Sequence, residues 1–369
     1  MKAKINWKKV IGWGVAALVV IGVVGYNTYH EKMKAEAGKQ NVYAVLPLSG
    51  VGASVGADIK KVIDLFIAQN KNVPFDVTYI DSELNPMKTT SALQQALLYD
   101  EHPIAITVTT AISNVTVPIL TRKNGMTFPI STASLPSATK EDNFQRVSYS
   151  YENATKDVAE YFAKRYSKIA VIYSDNEYGI GALNAFRKNY EKGDNKIIFE
   201  QSFSVKDLSV RTEILKVLDK NPQAIFVVGT YSAAYKNVLN GLRQYEYKGA
   251  IGTEVTLGIP GAYTDLTDPS GIVFPVPDFV LDEPKTENGK RLRAFFKAND
   301  IPLYYLMNET VNALQAIQKM LSQNLPRNSK TFSDTIKRIN DVQFLPDGDC
   351  LYDFVLATFR DGKIVPVEE

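Results

Sequence analysis

Cysteine and histidine are nearly absent from this chain, which carries one cysteine, Cys350, and two histidines, His30 and His102, in 369 residues. A single thiol excludes an internal disulfide framework and a cysteine-rich metal site. His30 sits beside the N-terminal segment, so His102 is the sole imidazole of the body. A histidine triad or a zinc cluster therefore has too few ligands to draw on. The formal net charge of +2 leaves no basic field of the kind nucleic acid demands. With 45% hydrophobic and 22% charged residues the composition is that of a folded globule, not a disordered chain. No internal repeat or low-complexity tract stands out, and the length favours two lobes over one core.

Long apolar runs are also missing, with one exception at the N-terminus. Lys2, Lys4, Lys8 and Lys9 precede an uncharged run over residues 10–25, with Trp7, Trp13 and Tyr26 near its ends. Continued to Tyr29, it reaches the roughly 20 residues that a bilayer requires. Leading lysines and edge aromatics describe an uncleaved anchor with a cytoplasmic N-terminus. A secretory signal, cleaved after Ala35-Glu-Ala37, fits the same basic start and apolar middle, although that site lies farther from the run than usual. Either reading exports the body across a membrane, on residues 10–29 as tether or signal and 31–40 as a polar linker.

Beyond the linker, apolar strands and amphipathic helices alternate. Strands are expected at 42–46, 75–80, 104–108, 128–131, 168–173, 197–199, 224–228 and 250–252. Helices are expected between them, at 57–66, 86–99, 113–123, 153–166, 179–190, 211–218 and 233–245. Strands apolar on both faces and followed by helices make parallel sheets with right-handed crossovers, an α/β fold. The Gly-spaced loop Val51-Gly-Ala-Ser-Val-Gly56 lacks the Lys-Ser/Thr of a P-loop and does not fit a dinucleotide fingerprint. After residue 270 the pattern changes. The proline-punctuated segment 271–277 reads as a crossover between lobes, and helices follow at 289–299 and 306–323. The chain closes with a strand at 342–344, a Pro346-Asp-Gly348 turn and a hairpin of 352–359 and 363–367.

Ligands on parallel sheets bind beyond the carboxyl ends of the strands. Polar residues collect there in six places: Ser49, Thr109 to Ser113, Thr132 to Ser134, Ser174-Asp175, Thr230-Tyr231 and Thr253-Glu254. Helix capping accounts for any one of these clusters. Their recurrence on two sets of strands points to a shared cleft.

Several segments, in this order, resemble the type I periplasmic solute-binding proteins, of the branched-chain amino acid and amide group that serves ABC importers. They are Pro47-Leu-Ser-Gly50 with Gly56, Asp81 with Asn85-Pro86, Pro129-Ile-Ser131 with Ala133-Ser134, Ile169-Ala-Val-Ile-Tyr173 and Asp175-Asn-Glu-Tyr-Gly179. Ala224-Ile-Phe-Val-Val-Gly229, Gly252-Thr-Glu254, Gly271-Ile-Val-Phe274 and Asp361-Gly-Lys363 continue the series, so that the resemblance covers residues 41–369.

The resemblance implies two Rossmann-like lobes joined by three crossovers. Lobe one would hold residues 41–149 and 278–341, and lobe two 150–277 and 342–369. It also implies a ligand-binding set of Ser49, Thr109, Thr110, Ala111, Ala133, Ser134, Tyr151, Tyr178, Tyr231 and Glu254. Thr109 to Ala111 and Ala133-Ser134 would hold a ligand carboxylate through hydroxyls and backbone N–H groups, Tyr231 would cover the ligand, Tyr178 would stand at the mouth of lobe two, and Glu254 would meet the ligand ammonium. One position departs from the family pattern. Where amino acid binders carry a second acid, this chain has Tyr151, with Glu152 adjacent. Unless Glu152 turns inward, Tyr149, Tyr151, Tyr178 and Tyr231 would suit a larger, flatter or less charged ligand.

The expected function is an extracytoplasmic receptor that presents a small amino-acid-like solute, an amide or a related acid to the membrane subunits of an ABC importer. The alternative is a ligand-sensing ectodomain that signals to a separate membrane partner. An enzyme is not expected, because no nucleophile–base pair is apparent. No cofactor is called for, and Asp347-Gly-Asp349 reads as a turn because it lacks the remaining spacing of a calcium loop.

Overall fold

Short apolar runs separated by helices return the chain to the same sheet edge each time, and this builds parallel pairing. The computed structural model describes residues 39–70, 72–133 and 143–368. The first sheet takes β1 (Gln40–Leu46), β2 (Phe75–Asp81), β3 (Ile104–Val108) and β4 (Met126–Ile130) in the order β2-β1-β3-β4, all parallel. The second has a parallel set β6-β5-β7-β8-β9, from β5 (Lys168–Ser174), β6 (Lys196–Phe203), β7 (Ala224–Val228), β8 (Ala250–Thr253) and β9 (Val273–Val276). Every residue of β3, β4 and β7 is buried, as expected where helices cover both faces. A small antiparallel sheet joins β10 (Arg338–Ile339), β11 (Val342–Phe344) and β12 (Cys350–Tyr352). The antiparallel pair β13 (Val355–Arg360) and β14 (Lys363–Pro366) then extends the second sheet beyond β9.

Two expectations need correction. The segment 271–277 is not itself a crossover: residues 273–276 are β9, fully buried in the second sheet, and burial outweighs the proline punctuation. The strand expected at 352–359 is broken after Tyr352, because Phe354 turns inward to stack on Tyr352 at 4.9 Å and meet Tyr149 edge-on at 5.9 Å. The closing hairpin does turn on two residues, Asp361 and Gly362, both at positive φ.

The Gly-spaced loop serves packing. The helix Ala53–Gln69 begins inside it, and a Cβ on Gly56 would collide with the Pro47 carbonyl. Gly179 stands in the same relation to Ser174 at the start of the helix Glu177–Tyr190. Both glycines let a helix close down on the strand before it.

Three stretches link the sheets. Residues 143–147 run beside β4, with N–H bonds from Gln145 to Thr127 (2.9 Å) and from Val147 to Pro129 (3.3 Å), before Ser150 caps the helix Tyr151–Ala163. After β9 the chain returns through the helix Tyr305–Ser322, which lies on the helix Ala53–Gln69 and β4. The third stretch runs from β10 through β11 and β12 to β13. Outgoing and final stretches brace one another. The Arg146 N–H donates to the Gly348 carbonyl (2.8 Å), its guanidinium pairs with Asp349, and the Cys350 thiol donates to the Ser148 carbonyl (3.0 Å). Asp347-Gly-Asp349 is thus a structural turn, in which Asp347 accepts the Asp349 N–H (3.1 Å). Residues 10–29, assigned to an anchor or signal, lie outside the described residues, and no described helix is long and apolar enough to cross a membrane.

Candidate functional site

At the carboxyl ends of β3 and β4 the backbone is strained. Thr109 has φ 75° and Ser131 φ 48°. A β-branched residue in the left-handed region is a genuine outlier, and such strain gathers at binding sites. The helix Thr110–Thr121 starts there without a side-chain cap. Its first-turn N–H groups therefore point their donors and the positive dipole end outward, a setting that favours an anion. Ser113 ties the two strand ends together, with its hydroxyl 2.8 Å from the hydroxyls of both Thr107 and Thr132. Ala111 is exposed in the first turn, and Ala133 is buried with its carbonyl accepting the Tyr151 N–H at 3.3 Å. Ser134 lies outside the described residues.

The second sheet contributes side chains instead. Glu254 follows β8 and is fully buried. Its Oε2 accepts the Thr256 N–H (2.7 Å) and the Tyr178 hydroxyl (2.7 Å), while Oε1 has no partner. Burial raises this carboxyl to about 7, only partly opposed by Tyr178, by Thr256 and by the Gly229 N–H. The Tyr178 hydroxyl also lies 3.4 Å from that of Tyr149, and Tyr149 meets the Tyr305 ring edge-on at 5.1 Å. Tyr151 closes the cluster, edge-on to Tyr178 at 5.7 Å, with its hydroxyl beside Thr110 and donating to the Glu177 carbonyl at 3.4 Å. Burial lifts Tyr149 and Tyr178 well above the ordinary phenol range, and Tyr151 to about 12. All three remain neutral hydroxyl donors at physiological pH.

The structure thus gathers Thr110, Ala133, Tyr151, Tyr178 and Glu254, with Thr109 and Ala111 at the same helix start. It leaves two expected residues aside. Ser49 sits on an exposed loop, where its N–H joins those of Leu48 and Glu83 on the Asp81 carboxylate (2.9–3.2 Å). Tyr231 is 40% exposed and leans toward Gly261, with Lys236 over its ring at 5.9 Å, so it does not join the tyrosine cluster. Glu152 does not turn inward either: it faces the helix Glu177–Tyr190 and accepts from Asn189 (2.8 Å) and Lys188 (3.3 Å).

Sequence reasoning missed Tyr305 and Glu309, both on the helix Tyr305–Ser322. Glu309 is fully buried and accepts the N–H groups of Ser131 (2.8 Å) and Tyr149 (3.3 Å), which fixes the strained end of β4 to the outgoing crossover. Its signal was a lone acid inside a long apolar helix. Nothing in the spacing said which strand ends it would reach.

No match to this chain was found among curated protein sequences. Solved structures share its fold at low identity. One is a solute-binding protein of an ABC transporter from R. palustris in complex with 4-hydroxybenzoate, 16% identical, with a TM-score of 0.78 over 90% of this chain and 96% of that one. A second R. palustris solute-binding protein, in complex with benzoate, is 13% identical, with a TM-score of 0.73 over 89% and 96%. A leucine-binding protein from Thermotoga maritima is 14% identical, with a TM-score of 0.75 over 89% and 98%. The model of the periplasmic binding protein family matches residues 40–347, most of the 369, and the chain belongs to that family.

Proposed function

We propose that this protein is an extracytoplasmic receptor that captures a small solute between its two lobes and presents it to the membrane subunits of an ABC importer. Lobe one takes residues 41–149 and 278–341, lobe two 150–277 and 342–369, and residues 10–29 tether the body to the membrane. One observation carries this reading. Tyr151 joins the strand ends of both sheets, through its N–H on the Ala133 carbonyl and its hydroxyl on the Glu177 carbonyl. A solute lying there touches both lobes only when they are closed, so it stabilises the closed state by its difference in affinity for the two. Its carboxylate sits at the uncapped helix start of Thr109, Thr110 and Ala111, and its far end reaches Tyr178 and Glu254. The relatives that bind leucine, benzoate and 4-hydroxybenzoate support a small, mostly apolar acid as cargo. The test is a thermal-shift screen over amino acids, amides, short-chain acids and aromatic acids, followed by X-ray scattering with each hit. A compound that raises the melting temperature and contracts the particle is the expected result. Hits that leave the scattering profile unchanged contradict capture between lobes.

A further inference from the structure

We propose that Glu254 works as a neutral acid, so that the site selects a solute presenting a hydrogen-bond acceptor there, such as a carbonyl or an ether oxygen, in place of an ammonium. This rests on the reading of the interlobe site above and names its substrate class.

The argument begins with the two carboxyl oxygens. Oε2 is filled by two donors, the Tyr178 hydroxyl and the Thr256 N–H, as a carbonyl-type oxygen would be. Oε1 is buried and makes no hydrogen bond of normal geometry, although the Gly229 N–H also faces this carboxyl. An unpartnered anionic oxygen in such a place is costly, and a proton on it removes the charge without disturbing either bond on Oε2. The proton then belongs to Oε1, the oxygen left to meet a guest.

The surroundings agree. The titratable groups facing this carboxyl are phenols from each packed element: Tyr149 on the outgoing crossover, Tyr178 on the helix Glu177–Tyr190, Tyr235 on the helix Ala233–Gln244 and Tyr305 on the helix Tyr305–Ser322. No cation is among them. An ammonium would need compensation from this one carboxyl, since Glu152 is committed to Lys188 and Asn189, and both oxygens of Glu309 are taken by backbone N–H groups. A neutral acid ringed by phenols offers a donor to an acceptor and flat apolar walls to the body of the solute. Burial shifts the carboxyl in the same direction, to about 7.

Glu254→Gln decides the matter, because the amide keeps a donor at this position and cannot ionise. The full chain and the variant are titrated calorimetrically with 4-acetylbenzoate, whose ketone can only accept a hydrogen bond, and with L-leucine at about pH 6 and about pH 8. With the acceptor-bearing probe, wild-type affinity falls roughly tenfold as the carboxyl ionises, and the variant holds its affinity at both values. If L-leucine binds more tightly at the higher pH, and the variant loses it, the proposal is overturned and the receptor function stands. A readout without any probe runs alongside. An infrared difference spectrum of wild type minus variant shows a protonated-carboxyl band at the lower pH that fades at the higher. Absence of that band overturns the proposal whatever binds. Failure of every compound in the thermal-shift screen counts against the interlobe site itself, a separate outcome.

Discussion

The two sheets meet the site with different chemistry. At the ends of β3 and β4 the groups on offer are backbone: an uncapped helix start, two residues at positive φ, and hydroxyls that bond one another. At the ends of β5 and β8 they are side chains, Tyr178 and Glu254, on unstrained backbone. Main-chain N–H groups survive every substitution but proline, whereas a tyrosine and a glutamate are lost to any change of residue. On the proposed reading, the first lobe would serve a feature shared by many solutes, a carboxylate, and the second whatever distinguishes them.

The sharpest way to break this contrast is the pH dependence of stability. The Glu254 carboxyl is raised from its ordinary value near 4.5 to about 7. Its neutral form is favoured by folding, so its contribution is complete below the ordinary value and lost as pH climbs through 7. Glu254→Gln does not titrate. Its stability relative to wild type should grow by up to about 3 kcal/mol across that window, read from urea unfolding at several pH values. Parallel curves would mean that this carboxyl ionises as freely as an exposed one.

Next comes the packing that both lobes share. Gly56→Ala and Gly179→Ala each force a Cβ against a carbonyl oxygen, of Pro47 and Ser174 respectively. Each should cost about 1–3 kcal/mol of stability in denaturant. Similar losses would show that the lobes differ in their chemistry and not in how helix meets strand.

The smallest effect concerns the strained backbone. Thr109→Gly removes a side chain that disfavours φ 75°. Relief of strain and the greater freedom of unfolded glycine oppose each other, so stability should change by no more than about 1 kcal/mol. Affinity for an acidic ligand should fall, because the helix start is no longer held in one geometry. An unchanged affinity would remove the strained backbone from the binding argument.

Much of the fold was legible because its signals are local. Apolar runs such as 224–228, bounded by turns, fix strand positions, and the Asp361-Gly362 turn fixes a hairpin. The candidate cluster was legible in part. Thr110 and Glu254 follow strand ends, where a parallel sheet puts its ligand, whereas Tyr151 and Tyr178 came from the family resemblance. Tyr231 follows one too, yet its ring leaned toward Gly261, a choice of rotamer that no spacing encodes. Glu309 escaped for the opposite reason: it lies inside a helix, in the second turn, distant in sequence from the Ser131 and Tyr149 amides it holds. Long-range pairing of a buried acid with backbone leaves no local trace.

Cys350 gains a use from its place in the third connecting stretch. Its thiol is buried, bonded to the Ser148 carbonyl where two connecting segments cross, and it is the chain's sole cysteine. Splaying of these segments would uncover the sulfur, so the speed at which an alkylating reagent modifies unlabelled protein becomes a clock for domain motion. A molecule that holds the halves together should slow that clock, without any engineered reporter.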